Sequence, residues 1–187
     1  MPATIRITEA AIRRAALELV RTQGPQALNA RALAAALGCS TQPIFKNFPS
    51  MEALKRAVVE EALAAYHRFV EAAVAASADP PYKARGMAYI GFARTEPTLF
   101  RLLFMRSRAG ETESPEDPDW PADTARAGTS AGLSGAEAEL FHLEMWAFVH
   151  GIAVMTATGY LTLEEQIVSR MLSDAFRGVK TSWEAEK

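Results

Sequence analysis

At 187 residues, 49% hydrophobic and 22% charged, the chain can bury one core or two small ones, and this composition excludes a disordered or disulfide-rich protein. A single cysteine, Cys39, excludes an intramolecular disulfide and any site built on several thiolates. The net charge of -2 conceals an asymmetry: residues 1–56 hold eight Lys/Arg against three acids, so a basic head precedes an acidic remainder, a distribution suited to a polyanionic partner at the N-terminal end.

In chain order the signals are helical. The apolar run after Met1 is broken by Arg6, Glu9, Arg13 and Arg14, unlike a secretory signal, so a cytoplasmic protein is expected. Thr8 is placed to cap a first helix, with Ile7 and Ile12 as a hydrophobic staple and Ile12, Ala15, Ala16 and Leu19 inward; Gly24 and Pro25 end it. Asn29 predicts a second, short helix from Ala30 to Leu37 that buries Leu33, Ala34 and Leu37 and stops at Gly38. Ser40 is expected to cap a third helix reaching about Phe48, halted by Pro49. Pro43 is tolerable at its third position, where no intrahelical N–H bond is lost.

Ser50 opens a fourth helix whose apolar positions Leu54, Ala57, Val58, Ala62, Ala65 and Phe69 carry it into the mid-seventies, about 40 Å at 1.5 Å per residue. Asp79 and Pro80 restart a helix to about Thr95, and Pro97 opens another bearing Leu99, Phe100, Leu102, Leu103, Phe104 and Met105. Residues 107–121, with five acids and three prolines, predict a mobile loop, followed by a short helical piece near 121–128. Ser134 with Glu137, and Thr162 with Glu165, have capping-box spacing and open two long final helices. The penultimate helix is apolar nearly all round, through Leu140, Phe141, Leu143, Met145, Trp146, Phe148, Val149, Ile152 and Met155. That is the pattern of a helix held between its own core and a partner. Leu140–Gly159 is the most apolar stretch, but Glu144, His142 and His150 within it favour a buried helix over a membrane span. The reading is an all-α fold of about nine helices with no internal repeat.

The segment Ala30–Phe48 carries the sharpest signal. A helix-turn-helix needs a small residue where its helices cross, apolar residues that lock the crossing, and a polar front on the second helix. Ala34 and Gly38 meet the first need, and Leu33, Leu37, Ile44 and Phe48 the second. Thr41, Gln42, Lys46 and Asn47 remain for the front. The same geometry occurs as a plain structural hairpin, which is the competing reading.

From the first helix to about Leu54, the Leu-Ala-x-x-Leu-Gly pattern, the short recognition helix and Phe48-Pro49-Ser50-x-Glu52-Ala53-Leu54 resemble the TetR family of transcriptional regulators. The resemblance implies a homodimer with a DNA-binding head over residues 1–50 and a ligand-binding, dimerising body over residues 51–187. It implies a repressor of palindromic double-stranded operator DNA, released by a small-molecule effector, with no cofactor, no metal and no catalysis. The DNA-contacting positions it implies are Arg31, Ser40, Thr41, Gln42, Pro43, Phe45, Lys46 and Asn47. There, Arg31 reaches guanine or phosphate, Gln42 an adenine and Pro43 a thymine methyl, while Lys46 and Asn47 hold the phosphates. The chain departs from the family at Phe45, usually Tyr, and at Met51, usually Lys. Each change removes a phosphate contact and leaves more to Arg6, Lys46, Lys55 and Arg56 and to the backbone N–H groups of Ser50 to Ala53.

Further on, Trp146, His150 and Gly151 resemble a TetR subgroup with a Trp-x-x-x-His-Gly signature. His150 reads either as a hydrogen-bonded core residue packed on Trp146 or as a ligand contact. The candidate pocket is Phe100, Phe104, Trp146 and His150, and few buried charges imply a largely apolar effector. The last two helices are expected to form the dimer, through the stripe Val168, Met171, Leu172, Ala175, Phe176 and Val179. Glu139 and His142 have a metal-ligand spacing, but one copy without partner carboxylates reads as a solvated face. An enzyme is the second class of function; three scattered histidines (His67, His142 and His150) and no nucleophile–base–orienter set argue against it. Cys39 reads as a small turn filler, with a redox role the alternative.

Overall fold

A computed structural model describes residues 7–105 and 119–185. Arg6 and residues 107–118 of the expected loop lie outside the described residues. The described chain is all-α, in nine helices and one 3₁₀ turn, without a strand. The helices are α1 (Glu9–Gln23), α2 (Ala30–Leu37), α3 (Gln42–Asn47), α4 (Met51–Ala76), α5 (Pro81–Thr95), α6 (Pro97–Phe104), α7 (Trp120–Ala131), α8 (Gly135–Ala157) and α9 (Glu165–Ala185), with the 3₁₀ turn at Pro25–Ala27.

Three expected caps form. The Thr8 hydroxyl accepts from the Ala11 N–H (3.2 Å), the Asn29 side chain from the Ala32 N–H (2.9 Å) and the Ser50 hydroxyl from the Ala53 N–H (3.1 Å). Gly38 closes α2 in the left-handed conformation (φ 64°): its N–H reaches Ala35 C=O (3.1 Å) and that of Cys39 reaches Ala34 C=O (3.0 Å). This closure occupies the chain through Cys39, so Ser40 is not the cap of α3. The helix begins at Gln42, one residue later than expected, with Thr41 at its N-cap and Pro43 at its second position in place of its third. Neither expected capping box forms. Ser134 stands at the N-cap of α8 without a side-chain bond, and α9 begins from the Glu164 carbonyl, which leaves Thr162 outside the helix. The helical piece expected near 121–128 is the longer α7.

By packing, the chain divides into two compact units. One holds α1–α3, α4 through Arg68, and Thr98–Met105; the other holds the chain from Phe69 to Pro97 and from α7 onward. The sequence assigns DNA binding to residues 1–50, and the unit containing them extends further because α4 and α6 join it. In this unit α1 packs on α2 and α3, and Ile12, Ala16, Leu33, Ile44 and Leu54 are buried. Arg13 ties α1 to α4 by its bond to Glu60 (2.9 Å), is also held by Glu9 on its own helix (2.9 Å), and its guanidinium lies 5.6 Å from the centre of the Phe48 ring. Tyr66 and Phe100 both pack on Phe104, with ring centroids 5.1 and 5.0 Å away.

In the other unit α5 packs on α7, α8 and α9. Arg85 on α5 pairs with Asp119 (2.9 Å) and Asp123 (2.6 Å), and Arg126 also bonds Asp123 (2.6 Å), fastening α7 to α5. Gly128 permits the tight α7–α8 corner, since a Cβ there would stand 2.7 Å from the Leu133 carbonyl oxygen. Helix α8 is long and apolar enough to cross a membrane by length and composition. It nevertheless buries Phe141, His142, Met145 and Ile152 against its own chain. The stripe on α9 is likewise used inside the chain. Val168 and Leu172 are buried and Met171 is half-buried, while Ala175, Phe176 and Val179 pack on the cluster of Ala127, Ala131, Phe141 and Met145.

The caps give a direct test. Asn29→Ala removes the acceptor for the Ala32 N–H and is expected to lower unfolding free energy by about 1 kcal/mol, whereas Ser134→Ala should change it little. Urea denaturation of both variants checks the contrast, and an equal loss would contradict the cap assignment.

Candidate nucleic-acid interface

The crossing of α2 and α3 is locked from behind. Leu33 and Ile44 are fully buried, Ala34 and Phe48 nearly so, and Leu37 is half-buried. With Ile44 inward, helical geometry turns Gln42, Phe45 and Lys46 outward together, and all three are exposed. Arg31 is exposed near the start of α2 and Ser40 in the turn; Thr41 and Pro43 are half-exposed. Asn47 is partly committed elsewhere, because its amide donates to the Pro43 carbonyl (2.7 Å). The free thiol of Cys39 is half-buried beside the turn.

The cations of residues 7–56 separate into two sets. Arg13, Arg21 and Lys55 are engaged by Glu9 and Glu60, by Glu18, and by Glu52. Among the described residues, Arg14, Arg31, Lys46 and Arg56 have no acidic partner within ion-pair distance. Lys55, expected as an available cation, is therefore partly neutralised, and residues 24–51 contain Arg31 and Lys46 but no Asp or Glu. Three of these pairs are neighbours on one helix, Glu9–Arg13, Glu18–Arg21 and Glu52–Lys55, and follow from spacing, whereas Glu60 reaches Arg13 from α4.

The body residues fall into both units. Phe100 is fully buried and packs on Phe104 in the first. Trp146 and His150 belong to the second, their rings stacked at 4.7 Å and 9°. The Tyr89 hydroxyl and His150 Nδ1 are hydrogen-bonded at 2.9 Å, and burial holds the imidazole below its ordinary pKa. A second such pair, Tyr82 with His142 Nδ1 (2.9 Å), also joins α5 to α8, and Trp120 packs on His142 (4.4 Å) and Trp146 (6.0 Å). His142 is thus buried and bonded, which corrects the solvated reading for His142, while Glu139 is exposed as expected. His142 lies on the buried side of a helix whose apolar residues face every direction. Tyr82, Tyr89 and Trp120 were not singled out from sequence; the seven-residue spacing of the tyrosines, two helical turns, is the signal that matches the eight between the histidines. Among the described residues no group of three or more His, Cys, Asp or Glu is placed to hold a metal ion.

Two family models match the chain: bacterial regulatory proteins of the tetR family over residues 12–58, and the tetracyclin repressor-like C-terminal domain over residues 82–176. The chain belongs to the TetR family of helix-turn-helix transcriptional regulators. Among solved structures, a protein of unknown function from Rhodococcus sp. RHA1 is similar with a TM-score of 0.74 at 22% identity, over 95% of this chain and 98% of its own. A TetR-like transcriptional regulator from the same organism gives 0.63 at 21% identity, over 96% and 98%. Multidrug binding protein EbrR, complexed with imidazole, gives 0.55 at 16% identity, over 88% and 87%. These similarities are of fold. A comparison with curated proteins gives no match.

The His150 environment makes stability depend on pH. Because the folded-state pKa is depressed below 6.5, the unfolded chain takes up the proton first as pH falls. The stability this group contributes is therefore complete above that value and is lost below it. Going from about pH 7.5 to about pH 5 should destabilise the protein, and His150→Gln should reduce that drop. Urea midpoints measured at both pH values test this; an identical drop in the variant would contradict it.

Proposed function

We propose that this regulator is a repressor: a homodimer whose two α3 helices enter successive major grooves of a palindromic operator, acting in the cytoplasm, and released by a small, largely apolar effector. The observation that carries the reading is the outward face of α3. Gln42 and Lys46 stand exposed together, Arg31 and Lys46 have no acidic partner among the described residues, and no carboxylate occurs between residues 24 and 51. A short helix with a polar, cationic front and a fully packed back suits the major groove, where Gln42 and Arg31 can read base edges. Lys46, with Arg14 and Arg56, supplies phosphate contacts.

For the dimer, α8 leaves Leu140, Leu143 and Phe148 exposed and α9 leaves Ile167, although their neighbours are buried in the chain. Large apolar residues left outside on two adjacent helices support a self-association surface on α8 and α9. The dimer role first given to Val168 and Leu172 passes to these residues, because those two are covered within the protomer.

For the effector, the stacked rings of Trp146 and His150 in the second unit are the proposed contacts; Phe100 is fully buried within the first unit. Helix α4 runs unbroken for 26 residues from the head into the second unit. A ligand that favours one setting of α4 would change the separation of the two heads, and half-sites one helical turn of DNA apart require a set separation.

Fluorescence anisotropy with duplexes selected from a random pool tests the DNA reading. Lys46→Ala should weaken binding to all duplexes and reduce the log–log salt slope by about 1 for each phosphate no longer neutralised; Gln42→Ala should relax sequence preference. No selected sequence, or salt slopes unchanged in Lys46→Ala, would contradict it. In sedimentation, the double substitution Leu143→Glu, Phe148→Glu should convert a dimer to monomer, and a monomeric parent protein would refute the dimer.

A further inference from the structure

Phe45 is the apolar exception on the outward face of α3. It is 48% exposed, next to Lys46 and one turn from Gln42, while the adjacent Ile44 is fully buried. A phenyl ring makes no hydrogen bond to phosphate, so it adds nothing to charge-driven binding. The chain segment that carries it, residues 24–51, holds Arg31 and Lys46 and no carboxylate, which favours a polyanion over a protein partner as the surface that covers it. On a major-groove edge, the apolar group a polyanionic duplex offers is the C5-methyl of thymine.

We propose that Phe45 reads a thymine in each half-site by packing its ring on the C5-methyl group, beside the base contact of Gln42. This rests on the reading that α3 enters the major groove. Within it, sequence preference at this position comes from apolar burial and not from a hydrogen bond. Lys46 on the same face holds the neighbouring phosphate and so fixes the depth at which the ring sits.

The test uses the full-length protein and the duplex selected above. Replacing thymine by uracil removes the methyl alone, and a scan of every thymine in the half-sites, followed by anisotropy, reads its contribution. The expected result is one symmetric position at which uracil weakens wild-type binding about fourfold per half-site, the worth of one methyl-sized group buried. Phe45→Ala should weaken binding to the thymine duplex by a similar or larger factor and lose the sensitivity at that position alone. Its logarithmic salt slope should stay parallel to wild type, because no charge is removed. The proposal is overturned if no thymine of the scan responds to uracil, or if Phe45→Ala keeps the full sensitivity. The first outcome is read on wild-type protein and does not depend on how the variant folds. If the duplex is bound and selected normally in either case, only the role of Phe45 fails; if no duplex is bound at all, the groove reading fails with it.

Discussion

Helices of eight and six residues have little stability of their own in water, because helix nucleation costs more than so few hydrogen bonds return. What holds α2 and α3 is burial. Leu33, Ala34 and Ile44 close against α1, whose Ile12 and Ala16 are themselves fully covered. That constraint decides the rest of the head. With Ile44 inward, the helical period sends Gln42, Phe45 and Lys46 outward together, so this face is set by the packing behind it before any partner arrives.

The second unit solves a different problem. Helix α8 is apolar on nearly every side, so hydrophobicity alone would not choose its rotation. The two tyrosine–histidine hydrogen bonds to α5 supply a directional element, because each is satisfied at one register only, and the stacked Trp146 and His150 rings add shape. The apolar residues left over, Leu140, Leu143 and Phe148, are those that this register turns away from the core.

Much of the head was legible in the sequence because its signals are local: Thr8, Asn29 and Ser50 each cap within three residues, and Gly38 sits where a left-handed residue is needed. The errors came where one local signal competes with another. Ser40 has cap chemistry, but the closure of α2 uses the backbone through Cys39 first. Thr162 has capping-box spacing, but α9 starts from Glu164. Long-range pairing was not legible. That Arg13 reaches Glu60 and His142 faces Tyr82 depends on which helices meet and at what rotation. The stripe on α9 shows the same limit, since a periodic apolar face announces burial without saying against which chain.

The proposed regulator stands or falls on whether the outward face of α3 meets duplex DNA. Backbone amide NMR on the full-length protein, titrated with its selected duplex, tests it most directly. The largest shift changes are expected to cluster at Arg31 and from Thr41 to Asn47. Changes confined to α5, α8 or α9, with α3 unmoved at saturation, would contradict it.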